Sequence, residues 1–250
     1  MKLNIIIPAY NEEKRILKTL HNYSEFFSKR MKNDFEILVI LNGCKDKTLD
    51  IVKEFSKGKK YIKFKEFKTP IGKGGAIIEG FKIAESELIG YVDADGATKP
   101  KTFHDLVENI DNHDGIIASR WIKGAVIKKK QPLSRRISSR GFNLLVKLLF
   151  GLKIRDTQCG AKLFRKNAIK KITPELGITQ WAFDIDLLYR MKKNGFEVIE
   201  IPTEWEDIEG SRLNLKKTIP EMFLSIIRLR LIYSPFKSVV KFYDEVFYRK

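Results

Sequence analysis

The chain has 250 residues, of which 43% are hydrophobic, and it includes 17 phenylalanines. A chain of this length buries about 70–75% of its unfolded surface, which excludes intrinsic disorder and makes stabilising disulfides or structural metals unnecessary. Its two cysteines, Cys44 and Cys159, exclude a disulfide scaffold and a cysteine-based zinc cluster and fit a reducing compartment. The 48 basic and 31 acidic residues leave a net charge of +17, which favours a polyanionic partner such as nucleic acid, anionic lipid or a phosphorylated substrate.

Strand-like and helix-like segments alternate over the first half of the chain. The strands are short apolar runs, and the helices carry apolar residues at three- and four-residue spacing. The predicted strands span residues 3–8, 35–41, 61–67, 88–93 and 115–120. The predicted helices span residues 16–31, 46–55 and 74–85, with a fourth after Pro100. This alternation predicts an α/β fold in which right-handed crossovers build a parallel sheet covered by helices on both faces.

After residue 120 the pattern changes. Residues 133–150 predict an amphipathic basic helix, with Leu144 and Leu148 in its apolar half. The remaining predicted elements are a helix over 181–193, a strand over 196–205 and an apolar, basic tail over 219–248. The helix and the tail are expected to pack on the protein, to lie in a membrane interface, or to do both.

The stretch between Asp114 and Asp156 has no acidic residue but eleven Lys and Arg residues. Two interpretations remain open, a solvated basic face or a site for phosphate or an anionic membrane. No segment reaches about 18 uncharged apolar residues, so no transmembrane helix is expected. The N-terminus enters a strand directly and shows no signal-peptide pattern. Any membrane association is therefore expected to be peripheral, on the cytoplasmic side.

Polar segments follow three of the predicted strands. They are AYNEE (9–13), NGCKD (42–46) and DADG (93–96). Ligands of parallel sheets bind beyond the carboxyl ends of the strands. Each segment alone is typical of an ordinary loop, but the three together predict a pocket.

Asp93 and Asp95 are the sharpest signal in this pocket, because they lie two residues apart at the end of a buried strand. Two carboxylates so close repel each other unless a cation lies between them. Their hard oxygen ligands suit Mg²⁺ or Mn²⁺, which proteins often bind through one or two carboxylates and substrate phosphates. The alternative is a turn in which an Asp caps a helix.

Glycines at GKGGA (72–76) open a predicted helix and allow backbone N–H groups to approach a phosphate, although a flexible helix start explains them equally well. The chain lacks the Walker pattern and G-x-G-x-x-G, which disfavours kinase and dehydrogenase chemistry. The three histidines have no metal-binding spacing, and neither cysteine has a histidine nearby in the sequence. Surface or capping roles are expected for these histidines.

Several motifs together resemble an inverting family 2 glycosyltransferase of GT-A fold. In the first half they are PAYNEE, DADG and ASR (118–120). In the second half, RRISSRG (135–141), RDTQCGAKLFRK (155–166), WAFDIDLL (181–188) and WEDIEGSRL (205–213) resemble polyprenyl-phosphate sugar transferases. KGGA and the EGS-basic-Leu segment are more similar to dolichyl-phosphate glucosyltransferases than to mannose synthases. The resemblance covers about residues 3–213.

The resemblance implies a mostly parallel GT-A sheet with C-terminal membrane-associating helices. It implies transfer of a hexose from a nucleotide sugar to a polyprenyl or dolichyl phosphate, with UDP-glucose favoured and GDP-mannose as the alternative donor. Mg²⁺ or Mn²⁺ would stabilise the leaving diphosphate. Residues 1–215 would form the catalytic domain and residues 216–250 a tail at the membrane surface.

The resemblance also assigns roles to individual residues. The implied donor-binding residues are Pro8, Tyr10, Asn11, Glu12, Asn42, Lys73, Asp93 and Asp95, of which Asp93 and Asp95 would hold the metal. The implied catalytic residues are Asp95, Arg120, Asp156 and Asp184. The implied acceptor or phosphate ligands are Arg135, Ser139 and Arg212.

Two positions depart from the family pattern. Members usually carry two acids after the second strand, where this chain has Leu41 and Asn42. An Asn amide both donates and accepts, so it suits a uracil edge. Mannose synthases often place a third metal ligand, a Gln, where this chain has Ala97.

Three alternatives remain at this point. One is a family 2 enzyme with another acceptor. Another is a sugar-nucleotidyltransferase, which would need a Gly-rich, Arg-bearing loop after the first strand, where this chain has AYNEE. The third is a nucleic-acid-binding protein, which would interleave aromatics with the basic run. Between residues 115 and 155 the only aromatics are Trp121, Phe142 and Phe150, so no nucleic-acid partner is expected.

Overall fold

A computed structural model describes residues 1–127, 133–177, 180–205, 215–236 and 240 of the chain, with the backbone alone at 133–139, 205 and 215–217. Its strands are β1 (Leu3–Ala9), β2 (Phe35–Asn42), β3 (Ile62–Phe67), β4 (Leu88–Tyr91), β5 (Gly115–Ser119), β6 (Val126–Ile127), β7 (Lys162–Arg165), β8 (Val198–Pro202) and β9 (Glu204–Trp205). Its helices are α1 (Ile16–Met31), α2 (Thr48–Ser56), α3 (Gly72–Ile83), α4 (Pro100–Asn109), α5 (Leu133–Phe150), α6 (Lys166–Ile172), α7 (Phe183–Lys193) and α8 (Leu215–Ile232), with a short 3₁₀ turn at Thr173–Glu175. The five strands predicted in the first half are confirmed.

Seven strands form one sheet in the order β3-β2-β1-β4-β7-β5-β8. Its neighbouring strands pair in parallel except at β7, which runs antiparallel to both β4 and β5. The mostly parallel sheet is thus confirmed, but a wholly parallel sheet, as the first-half alternation indicates, is wrong at its centre. β7 has only four residues and begins with a lysine, so it gives no apolar run that the sequence pattern would reveal.

Helices cover both faces of this sheet. Ile5 and Ile7 of β1 pack on one face with α1 and α4, whereas Ile6 packs on the other with α3, α6 and α7. Burial on both faces explains why β1 and β2 are continuous apolar runs rather than alternating ones. The carboxyl ends of β1, β2 and β4 consequently meet at one edge of a rigid core.

A third apolar cluster joins α5, α7 and α8 through Val146, Phe150, Ile185, Ile226 and Leu229. α8 therefore packs against the body of the protein. The domain boundary at 215/216 stays a prediction. Residues 237–239 and 241–250 of the predicted tail lie outside the described residues.

α5 buries a different face from the one that its helical wheel indicates. Val146 and Phe150 face the core, while Leu144 and Leu148 are 58% and 74% exposed. Arg140 and Lys147 are exposed on the same side of the helix. In the part of the chain that the structure describes, no helix combines the length and the apolar character needed to cross a membrane.

Candidate active site

The loops after β1 and β2 are tied to each other by hydrogen bonds. The Glu12 N–H donates to the Thr48 hydroxyl at 2.8 Å, and the Lys45 N–H donates to Asn11 Oδ1 at 2.8 Å. Asn11 holds this position with a φ of +54°, which Asn tolerates better than most residues. These bonds fix the shape of the pocket rim before any ligand binds.

Tyr10 and Asn42 lie at this rim in contrasting surroundings. Tyr10 is 48% exposed, whereas Asn42, at the end of β2, is 5% exposed. Asn42 Oδ1 accepts the Ile71 N–H at 2.6 Å and thereby fixes the entry to α3. This bond engages one lone pair of the Asn42 oxygen, and the NH₂ group of the amide remains as a donor for a ligand. Pro8, the second-last residue of β1, is half-buried beneath the rim.

Glu12 is held by a residue that the sequence did not single out. Arg15 Nε and Nη2 each donate to the Glu12 carboxylate at 2.7 Å. Burial would lower the pKa of Arg15, but Glu12 outweighs it and Asp95 and Asp93 add to the effect, so this pKa is raised. A permanent positive charge therefore lies within electrostatic reach of the two aspartates. The E-x-x-R spacing in the sequence is the signal that would have found it.

The aspartate pair after β4 lies beside a lysine from α3. The strand ends at Tyr91, and Lys73 Nζ lies 2.5 Å from Asp93 Oδ1. Asp95 Oδ1 accepts the Ala97 N–H at 2.9 Å. Burial opposes the charge on Lys73, but Asp93 and Asp184 outweigh burial and raise its pKa. Lys73 thus stays protonated next to the pair.

The aspartate pair remains short of positive charge. Burial, followed by the charge of Asp93, raises the pKa of Asp95 above its usual value. Among the described residues, the ammonium ion of Lys73 contacts Asp93 and no cation contacts Asp95, so these residues leave a net negative charge at the sheet edge. A divalent cation would relieve that charge, so the donor set fits Mg²⁺ or Mn²⁺ held by Asp93 and Asp95.

A loop from the second half of the chain closes over Asp93. A Cβ atom on Gly160 would lie 2.2 Å from Asp93 Oδ2, so any larger residue at this position would displace the Asp93 carboxylate. The same loop carries Asp156 and Cys159. Burial, followed by the charge of Asp156, raises the pKa of Cys159 to about 11. Cys159 is therefore a neutral thiol, consistent with the absence of a predicted nucleophilic role.

Arg120 and Asp156 form a buried bidentate ion pair. Arg120 Nε and Nη2 donate to the two carboxylate oxygens at 2.8 Å each, and the Arg120 N–H donates to Oδ2 at 2.9 Å. Glu200 of β8 accepts the N–H groups of Arg155 and Asp156 at 2.8 and 3.0 Å. Burial would lower the pKa of Arg120, but Asp156 outweighs burial, so this pKa is raised. Two residues predicted to act in catalysis are thus brought together, and Arg120 uses two of its nitrogens to hold Asp156.

Asp184, in the first turn of α7, belongs to a second buried pair. Its Oδ1 accepts hydrogen bonds from Lys162 Nζ and from the Tyr91 hydroxyl, each at 2.5 Å. Lys162 is fully buried at the start of β7 and also donates to the Cys159 carbonyl at 2.6 Å. Sequence reasoning missed both Lys162 and Tyr91. A lysine within the apolar run GAKLF is the one signal that would have indicated a buried charge.

The predicted acceptor ligands are not placed by this geometry. The side chains of Arg135 and Ser139 and the whole of Arg212 lie outside the described residues. Away from the site, ligand atoms of His104, Asp105 and Glu108 lie within 4.8 Å of one another on α4. His104 packs against Phe26 at 5.6 Å between ring centroids, which identifies it as a packing residue of the α1–α4 contact.

Comparisons with known proteins agree with this architecture. The model of the family described as "Glycosyl transferase family 2" matches residues 4–173. A dolichyl-phosphate beta-glucosyltransferase from Dictyostelium discoideum is 34% identical over 244 residues, which cover 92% of this chain and 74% of that protein.

Two solved structures are similar in fold at low sequence identity. A mannosyltransferase from Pyrobaculum calidifontis in complex with GDP-Man and Mn²⁺ has a TM-score of 0.67 at 16% identity, covering 96% of this chain and 68% of that chain. A glucosyl-3-phosphoglycerate synthase from Mycobacterium tuberculosis with Mn²⁺, UDP-glucose and phosphoglyceric acid has a TM-score of 0.64 at 13% identity, covering 92% of this chain and 79% of that chain. With its GT-A sheet and its polar groups gathered at the carboxyl ends of β1, β2 and β4, the chain is a glycosyltransferase and belongs to glycosyl transferase family 2.

Proposed function

We propose that this glycosyltransferase moves a hexose from a nucleotide sugar to a polyprenyl phosphate of the dolichyl type, with UDP-glucose as the favoured donor. The observation that carries the proposal is the negatively charged Asp93–Asp95 pair beside Lys73, enclosed by the loop at Gly160. The name of the Dictyostelium relative supports the acceptor class. In the reaction an acceptor phosphate oxygen forms a bond to the anomeric carbon as the bond to the donor diphosphate breaks, with inversion at that carbon.

The donor occupies the edge formed by β1, β2 and β4. The exposed ring of Tyr10 offers a stacking surface for the base, and Asn42 offers an amide donor. Lys73 carries a permanent ammonium charge that can exchange Asp93 for a donor phosphate. The nucleoside end of the donor is thereby separated from the diphosphate end by the width of about two strands.

Asp93 and Asp95 are proposed to hold Mg²⁺ or Mn²⁺ against the donor diphosphate. The ion, when bound, neutralises charge that develops on the departing diphosphate. The residues of the chain contribute the two carboxylates, and Gly160 brings its own loop within contact of Asp93. The two similar structures that contain Mn²⁺ together with GDP-Man or UDP-glucose support this assignment.

The acceptor makes a strong general base unnecessary. A phosphate monoester has a second pKa near 6, so at pH 7 it is already mostly a dianion and needs no proton removed. The chain must instead bring two phosphate groups together against their repulsion. Arg120, Arg135 and Arg212 are proposed for that task, with Arg120 fixed by Asp156. Two histidines have other contacts than a role as general base: His104 packs in the α1–α4 contact, and His113 lies 3.2 Å from Glu197.

A lipid acceptor also requires the enzyme to lie at a membrane, and α5 carries a surface suited to one. Leu144 and Leu148 are exposed between Arg140 and Lys147. Exposed leucines flanked by cations are typical of a helix that lies in an anionic membrane interface. Peripheral attachment through α5 and the C-terminal segment is therefore part of the proposal.

The acceptor assignment is tested with matched lipids. Purified protein with Mg²⁺ or Mn²⁺ is assayed for transfer from UDP-glucose and from GDP-mannose to dolichyl phosphate, with dolichol as the control acceptor. We expect glucosyl transfer to the phosphate and none to the alcohol. Equal transfer to both lipids, or transfer only to an acceptor that is not a lipid, would contradict the proposal.

The membrane assignment is tested by flotation with vesicles that contain anionic lipid. Leu148→Asp should weaken vesicle binding by at least about tenfold, because a leucine that enters the interface contributes about 1.5–3 kcal/mol. Leu17→Asp is the matched control, since Leu17 is 51% exposed on α1. Equal binding by the two variants would remove α5 from the membrane contact.

A further inference from the structure

The ion pair between Lys162 and Asp184 involves one carboxylate oxygen of Asp184, Oδ1, and not the other, Oδ2. Lys162 Nζ and the Tyr91 hydroxyl both donate to Asp184 Oδ1 at 2.5 Å. Lys162 Nζ lies 5.4 Å from the centre of the Tyr91 ring, and the lysine is also anchored on the Cys159 carbonyl. Within the described part of the chain, Asp184 Oδ2 accepts no hydrogen bond. One oxygen is therefore saturated by buried donors while its partner keeps its acceptor capacity.

The packing of α7 places this carboxylate beside the donor diphosphate site. A Cβ atom on Gly74 would lie 2.8 Å from the Phe183 ring, so the first turn of α7 approaches the first turn of α3 closely. Phe183 precedes Asp184, and Gly74 follows Lys73, the lysine that contacts Asp93. The Asp184 side chain is 12% exposed, so it keeps some access to solvent at this point.

We propose that Lys162 is a positioning residue for the donor sugar, because it holds Asp184 so that Oδ2 accepts a hydrogen bond from a hydroxyl of the transferred hexose. This inference rests on the proposed nucleotide-sugar donor. Asp184 then acts as a fixed acceptor that contributes to the choice of sugar, and the proton stays on the sugar hydroxyl. A hydrogen bond to a buried charged group is among the stronger ones in proteins.

The surrounding charges suit a fixed acceptor better than a base. Burial would raise the pKa of Asp184, but Lys162 from β7 and Lys73 from α3 outweigh burial and lower it. The other ionisable groups near the network are Tyr91, Asp93 and Cys159. A carboxylate with a lowered pKa holds a proton poorly and remains an acceptor throughout the neutral range.

The test is calorimetric and needs no acceptor lipid. Dissociation constants of UDP and UDP-glucose are measured with Mg²⁺ for wild type, Lys162→Met, Tyr91→Phe, Asp184→Asn and the double variant Lys162→Met with Asp184→Asn. The ratio of the two constants gives the contribution of the sugar. GDP and GDP-mannose are measured in parallel. Lys166→Met is the control, because Lys166 is a partly exposed lysine four residues along the chain that pairs with Glu85.

Lys162→Met and Asp184→Asn should each reduce the sugar contribution by about tenfold while the UDP constant stays within about twofold. The double variant should lose no more than Asp184→Asn alone, because Lys162 acts through Asp184. The double variant and Tyr91→Phe remain informative if Lys162→Met does not fold. The inference would be overturned if the losses of Lys162→Met and Asp184→Asn multiplied in the double variant. It would also be overturned if a single variant weakened UDP binding as much as UDP-glucose binding. Failure of wild type to transfer sugar to dolichyl phosphate would instead overturn the proposed acceptor and leave this measurement intact.

Discussion

Two pairs of aspartates in the site differ in how their charge is balanced. Asp93 and Asp95 follow β4 in the parallel half of the sheet, and among the described residues Asp93 contacts one lysine, Lys73, while Asp95 contacts no cation. Asp156 and Asp184 come from the second half of the chain, and each has its own buried cation, Arg120 or Lys162. The first pair is thus left with excess negative charge, whereas the second is neutral before any ligand binds.

This difference separates a carboxylate pair that can gain from binding a cation from two ion pairs whose charge is already balanced. A carboxylate pair with unbalanced charge lowers its free energy when a cation arrives, so it gains from binding. A buried, matched ion pair gains little from a further ion but loses much when either partner is removed. Substitutions in the first pair should therefore affect activity, and substitutions in the second should affect stability as well.

The largest effect is expected at Asp93 and Asp95. Replacing either with Asn should reduce transfer by about a thousandfold, a transition-state cost of roughly 4 kcal/mol, because it removes one of the two carboxylates proposed to hold the metal against the diphosphate. The melting temperature should stay equal or rise, since burial and Asp93 raise the pKa of Asp95 and the substitution removes that repulsion. Turnover assays and thermal unfolding of the same samples check both results.

Asp105→Asn is the matched control, because Asp105 pairs with Lys101 on the outer side of α4. It should leave transfer unchanged. Normal turnover by Asp93→Asn, or full activity of wild type in excess EDTA, would show that the pair holds no metal.

A smaller effect, now on stability, is expected at Asp156. Asp156→Asn removes the negative charge that pairs with Arg120 in the protein interior, which should lower the free energy of unfolding by about 3 kcal/mol. Urea denaturation measures this loss. Lys57→Ala, which breaks an exposed ion pair with Glu54, should leave the urea midpoint unchanged. If the two variants lose the same stability, the matched pair contributes no more than a surface contact.

The smallest effect concerns the chemical reactivity of the two cysteine thiols. Cys44, in the loop after β2, is partly exposed, whereas Cys159 is buried beside Asp156. Because burial raises the pKa of Cys159 to about 11, it is protonated at pH 8 and reacts slowly. At pH 8 a thiol reagent should modify one cysteine in the native protein and both after unfolding. Modification of both cysteines at equal rates in the native protein would show that the structure around Cys159 opens readily.

The parallel half of the site could be predicted from sequence because its geometry follows from strand order alone. AYNEE, NGCKD and DADG each follow an apolar run, and parallel strands bring their carboxyl ends to one edge. The metal-ligating role proposed for Asp93 and Asp95 is argued from that edge and their spacing. The sequence predicts Lys73 as a donor-binding residue, but no local pattern reveals its ion pair with Asp93.

The contacts of Asp156 and Asp184 could not be predicted from sequence, because they join residues that are far apart along the chain. Arg120 and Asp156 are 36 residues apart, and Tyr91 and Asp184 are 93 apart. The family resemblance implies a catalytic role for Arg120, but no local pattern reveals that Asp156 occupies two of its nitrogens. β7, which delivers Lys162, is too short to show strand periodicity.

The central position of β7 has a consequence for the synthesis of the chain. β4 is complete at Tyr91, but the strand that pairs with its free edge ends at Arg165, 74 residues later. At about 5–20 residues per second, a ribosome needs roughly 4–15 seconds to make that segment. During this interval the edge of β4 is open and β5 has neither of its neighbours, β7 and β8. The nascent chain therefore passes through a partly folded state with an unpaired strand edge, the kind of surface that chaperones protect and that aggregation exploits.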